Sequence, residues 1–220
     1  MALRFFELLQ SIFSEVDEPP RLKICDRFAP VTLKNHRDET IRFRKRFVET
    51  DGALIINTMF TTCRGSCPGT SATLESLRET LSPVFGQRLT IISLSIDPEV
   101  DTPQRLYRYA KIYGAHEPRA DLCDWHFLTG TPSSVHALRH SLGFYDLDPV
   151  VDRDVTQHAS TLMFGNSVTD RWSTMPASLP EKQLVTSIRR VAGFTFEQKY
   201  GLPTSSVSMP QVPQQESAGR

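Results

Sequence analysis

The sequence lacks an excess of charge of either sign, since 25 Lys and Arg residues balance 25 Asp and Glu. Nucleic acid and anionic membrane surfaces both demand a basic patch, so neither is expected as the main partner. No apolar run approaches the ~20 residues needed to cross a bilayer, which argues against a transmembrane span. Cysteine is scarce, at four in 220 residues, and a disulfide scaffold is excluded. A clear export signal is wanting too. Residues 1–13 carry Phe5, Phe6, Leu8, Leu9, Ile12 and Phe13, but Arg4, Glu7 and Gln10 interrupt them and no small-residue cleavage site follows. No internal repeat is visible.

What is present reads as one globular domain with loose ends. Apolar residues make up 39% and charged residues 23% of the chain. Residues 1–24 read as an amphipathic segment followed by a linker containing Pro19-Pro20. Residues 25–195 form the expected domain, and 196–220 end in a Ser-, Pro- and Gln-rich tail expected to be disordered. Within the domain, Val31–Leu33 and Ile41–Phe43 flank a polar turn as a short hairpin. Ala53–Phe60 is a near-continuous apolar run that suits a strand covered on both faces. A helix should open at Pro68, with Leu74, Leu77 and Leu81 on its inner face. Arg88–Ile96 reads as a second buried strand. Helices should open at Thr102-Pro103 and Thr131-Pro132, with a strand at Trp125–Leu128 between them. A late strand is expected at Ser160–Phe164 and a last helix at Pro180–Val191. This alternation points to an α/β sandwich with a mostly parallel central sheet, in which ligands bind beyond the carboxyl ends of the strands.

The segment that leaves such an end is Thr62-Cys63-Arg64-Gly65-Ser66-Cys67-Pro68. Two thiols at a strand-to-helix junction can converge, and the unpaired N–H groups and partial positive charge of a helix start favour thiolate over thiol. Arg64 would add to this. Thiolate both binds soft metals and attacks disulfides. An imidazole as third donor would suit both copper oxidation states. Six histidines are available. His36, His136 and His140 read as surface residues, His116 lies in a loop, and His126 alternates with Trp125 and Phe127 as a satisfied sheet histidine. His158 stands just before the late strand, and its entrance sits beside the thiols if the two strands are antiparallel neighbours.

These residues resemble the Sco/SenC family of copper-binding proteins, which assist assembly of cytochrome c oxidase. The likeness spans roughly residues 25–193. It runs through Phe60-Thr61-Thr62-Cys63-x-x-x-Cys67-Pro68 and Leu94-Ser95-Ile96-Asp97-Pro98-Glu99-x-Asp101-Thr102-Pro103. It continues in Trp125-x-Phe127-Leu128-Thr129-Gly130 and ends in Gln157-His158-Ala159-Ser160. The resemblance implies a thioredoxin-like fold with a central mixed β-sheet flanked by helices and an N-terminal β-hairpin. It implies that Cys63, Cys67 and His158 ligate copper, as Cu(I) or Cu(II). It implies a copper-receiving partner such as a cytochrome c oxidase subunit, and an extracytoplasmic compartment. The chain departs from the pattern at Arg64-Gly65-Ser66, where the family often has an acidic residue and then a branched apolar one. It departs again at Gln157, where Asp is usual.

Two other readings use the same thiols. One is a thiol–disulfide oxidoreductase or peroxidase-like enzyme on this fold. Thioredoxin-type reductants, however, space their cysteines by two residues and place a proline where His158-Ala159-Ser160 stands. The other is a zinc site of Cys63, Cys67, Cys123 and His126, acceptable in ligand type but without the turn residues of a zinc knuckle. Asp97, Glu99 and Asp101 sit on the expected site face, either capping the following helix or forming an acidic rim.

Overall fold

Every residue of Ala53–Met59 (β3) is buried, the outcome expected of a strand covered on both faces. Its alternate side chains feed two cores: Ala53, Ile55 and Met59 join one, Leu54 and Ile56 the other. The computed structural model describes residues 22–201, so the expected amphipathic segment, the Pro19-Pro20 linker and residues 202–220 of the tail lie outside it, while Phe196–Tyr200, expected in the disordered tail, forms a helix. Within it β3 occupies a seven-stranded sheet. The other strands are Thr32–Asn35 (β1), Thr40–Arg42 (β2), Leu89–Ser95 (β4), Asp124–Thr129 (β5), Thr161–Asn166 (β6) and Arg171–Pro176 (β7). They lie in the order β2-β1-β5-β4-β3-β6-β7.

The sheet is mixed. Only β3 with β4 and β4 with β5 run parallel, and the other four pairings are antiparallel. The mostly parallel sheet expected from strand–helix alternation is corrected accordingly. Alternation reports the crossover units, which need a helix, but not the hairpins at either end, which need only a turn.

The helices are Cys67–Phe85 (α1), Pro103–Ile112 (α2), Pro132–Ser141 (α3), Pro149–Arg153 (α4), Glu181–Ala192 (α5) and Phe196–Tyr200 (α6). Both Thr-Pro pairs start helices as expected. The Thr102 and Thr131 hydroxyls accept from Arg105 N at 3.3 Å and Ser134 N at 3.2 Å, with proline in the first turn. Leu74, Leu77 and Leu81 of α1 are fully buried and share one core with Leu184 and Ile188 of α5. The hairpin β1–β2 and α3 cover the opposite core through Leu33, Ile41, Val135 and Leu138. Among the described residues no helix is long and apolar enough to cross a membrane.

The sequence reading missed β7, α4, α6 and the helical turn Arg44–Val48. Strand β7 has no fully buried residue, so it carries no apolar run or clean alternation. Its approach to β6 depends on Gly165, where an added Cβ would come within 2.7 Å of the Trp172 ring. His36 is also corrected: it is 2% exposed, not a surface residue. The turn after β1 folds inward, and His36 Nδ1 accepts from Phe127 N at 3.2 Å.

Candidate metal centre

The chain leaves β3 at Met59 and enters α1 at Cys67, and a buried carboxylate fixes the turn between them. Asp101 has no exposed surface. It accepts from Thr61 N at 3.0 Å, from the Thr61 hydroxyl, and from the Ser95 hydroxyl at 2.7 Å. Arg105 Nε donates to Thr61 Oγ1 at 2.8 Å. The loop after β4 is thereby tied to the turn that carries Cys63. Asp101 therefore serves as a structural anchor and forms no part of an acidic rim. Asp97 is half-buried, and burial with the Asp101 charge raises its carboxyl above the usual range; Glu99 is exposed.

The third residue reaches the thiols through topology. Strand β6 runs antiparallel to β3, with Ala53 opposite Asn166 and Ile56 opposite Met163, so β6 begins where β3 ends. Ahead of it, the Asp154 carboxylate accepts from Thr156 N at 2.9 Å and Thr156 Oγ1 at 2.7 Å, shaping the tight turn Val155–Gln157. That turn presents Val155 O to His158 Nδ1 at 2.7 Å. A carbonyl only accepts, so Nδ1 donates, and in the neutral ring the lone pair is on Nε2. Nε2 lies 3.4 Å from Cys67 Sγ, across 91 residues of sequence. The Phe60 ring meets the imidazole edge-on, with centroids 5.4 Å apart.

The two thiols differ. Burial alone would push Cys63 up. Hydrogen bonds from the Cys67 side chain and from the N–H groups of Cys67, Gly65 and Ser66 outweigh it and hold this thiol below its ordinary value. The start of α1, rather than Arg64, supplies this stabilisation. Cys67 is buried, and burial followed by the Cys63 hydrogen bond pushes it up to about 12. Cys63 is thus the more acidic and more accessible of two unequal thiols, and Cys67, whose Sγ lies 3.4 Å from His158 Nε2, is the more basic. The three donor atoms do not all lie within 4.8 Å of one another. Closing on one ion would need a local movement of these side chains.

Cys123 and His126 stand elsewhere. Cys123 precedes β5, whose start is level with the starts of β3 and β4, so it lies at the end of the sheet opposite Cys63. His126 is engaged with Asn35 at 3.3 Å and Asp124 at 2.9 Å. The four-residue zinc arrangement is not formed. Cys25 is buried in the second core. Sequence reasoning missed Thr61, Arg105 and the Val155 carbonyl as parts of this site. Only Asp154-x-Thr156, a side chain capping its own turn, left a local signal for the last of them.

A family model described as SCO1/SenC matches residues 30–193, about three-quarters of the chain. Among solved structures, yeast Sco1 with copper bound is 20% identical with a TM-score of 0.57, over 73% of this chain and 85% of that one. Arabidopsis thaliana ScoI with copper bound is 16% identical with a TM-score of 0.56, over 73% and 94%. BsSco, described as a member of the Sco family of cytochrome c oxidase assembly proteins with a disulfide switch, is 21% identical. Its TM-score is 0.54, over 79% and 95%. No curated protein matches the chain by sequence.

Proposed function

We propose that this chain, which belongs to the SCO1/SenC family, binds copper through Cys63, Cys67 and His158 and carries it to a copper-receiving protein. The observation that carries the reading is the 3.4 Å approach of His158 Nε2 to Cys67 Sγ, with Nδ1 tied to Val155 O. A ring held by a carbonyl on one nitrogen, with the other nitrogen left to face a metal ion beside a thiol, is the usual arrangement of a ligating histidine. The donor set fits copper: two thiolates suit Cu(I), and the imidazole serves either oxidation state. Copper is cargo in this account, and the domain that carries it spans about residues 25–195. The copper-bound relatives in yeast and Arabidopsis thaliana support the ion, and the description of BsSco supports a subunit of cytochrome c oxidase as recipient.

A carrier must release its ion. Cys63 is partly exposed, so an incoming thiolate can reach the metal from that side and exchange ligands one at a time. No small-molecule turnover is part of this role. One observation favours thiol exchange as an accompanying activity. An accessible thiol held low beside a buried one held high is the pairing of an attacking and a resolving cysteine. His158 separates the two activities. Anaerobic Cu(I) titration against a competing chelator should show one tightly bound ion, lost in Cys63→Ser and Cys67→Ser and retained in Cys25→Ser and Cys123→Ser. His158→Ala should strongly impair metal transfer to a dithiol acceptor and leave disulfide exchange nearly intact. The reverse ranking, or brisk insulin-disulfide or peroxide reduction by the unaltered protein, would favour the enzyme reading.

A further inference from the structure

We infer that His136, His140 and Asp152 form a second metal site, for a divalent ion of borderline softness such as Zn2+ or Cu2+. One nitrogen from each imidazole and one carboxylate oxygen lie within 4.8 Å of one another, the only such group among the described residues. The cause is local. His136 and His140 are four apart on α3, which puts them on one face with ring centroids 4.0 Å apart. Asp152, on α4, closes the third side with Oδ2 3.2 Å from His140 Nε2.

The plainer reading is a surface ion pair, because Arg139 also donates to Asp152 Oδ2 at 2.6 Å. His136, exposed and without a hydrogen bond to the described residues, lays its ring against that of His140 and brings a third donor to the pair. Arg139 and the Asp146 N–H, which donates to Oδ1 at 2.9 Å, fix the carboxylate without exhausting its lone pairs. Tyr145 stacks on His140 at 4.7 Å and 10°, which sets that ring. Such outer partners are what orient ligands in a metal site. A divalent ion would take the place of the proton between His140 Nε2 and Asp152. Two nitrogens and one oxygen select differently from two sulfurs and one nitrogen, so this site discriminates against Cu(I). His136 and Asp152 line a cavity of about 370 Å³ that His158 also lines, so the two sites open on one space.

The inference stands apart from the copper-carrier reading, and its test uses the full chain with Cys63→Ser, Cys67→Ser and His158→Ala. Calorimetric titration of that protein with Zn2+, and separately with Cu2+, should show one equivalent bound. Adding His136→Ala, at an exposed position, should weaken binding about tenfold or more, and His140→Ala should do the same. Absence of binding, or binding that neither histidine substitution changes, overturns the site. Loss of Cu(I) binding by the unaltered protein, with Zn2+ binding retained here, would count against the carrier alone.

Discussion

The two thiols of the turn after β3 should differ chemically as they differ in surroundings. Thiolate is the alkylated form, so reduced protein stripped of metal should react with iodoacetamide at Cys63 first. Cys67, pushed up to about 12, and Cys25, pushed up to about 11 chiefly by burial, should lag, as should the buried Cys123. Mass spectrometry of short labelling times at neutral pH checks this, and Cys67 labelled first would contradict it. The thiols were legible as a pair from their spacing and the proline that follows. His158 was not legible from spacing, because a contact across 91 residues is set by strand order. The four ordered segments shared with a known family pointed to it instead, and the antiparallel pairing of β6 with β3 supplies the physical reason.

Between elements, the largest constraint on the site is the Asp101 carboxylate, which joins the loop after β4 to the turn after β3. Asp101→Asn replaces one acceptor oxygen with an NH2 that faces the Thr61 and Ser95 donors. A buried unsatisfied pair of this kind costs about 1–3 kcal/mol. Each kcal/mol moves Tm by about 2–4 °C in a domain of this size. Thermal unfolding should therefore shift down by several degrees, while the salt dependence of copper loading stays unchanged. Slowed loading with an unchanged Tm would restore the acidic-rim reading. The elements themselves were legible where burial is two-sided or a cap is present, as in β3, β4, α2 and α3. They were illegible where no residue of a strand is fully buried, as in β7, or where a turn is held only by its own side chains, as at Asp154-x-Thr156.

Across the whole molecule, His36 links stability to pH. Burial, and then the Arg37 charge, lower its imidazole from 6.5 to about 4. Its Nδ1 accepts from Phe127 N, so protonation there breaks a bond between the hairpin and β5. Below its ordinary value the unfolded chain binds the proton and the folded chain does not. Stability is then full above about pH 6.5 and falls as pH drops towards 4, by at most on the order of 3 kcal/mol. Urea unfolding across that range checks it, and a flat profile would contradict it. The arrangement of the whole sheet is what brings the thiol turn and the His158 turn to one end, and copper binding there is the central claim. Copper K-edge X-ray absorption on reduced protein loaded with one equivalent of Cu(I) tests it most directly. Two sulfur donors and one nitrogen donor are expected, with the nitrogen lost in His158→Ala. A nitrogen shell that survives that substitution, or a spectrum without sulfur, would contradict it.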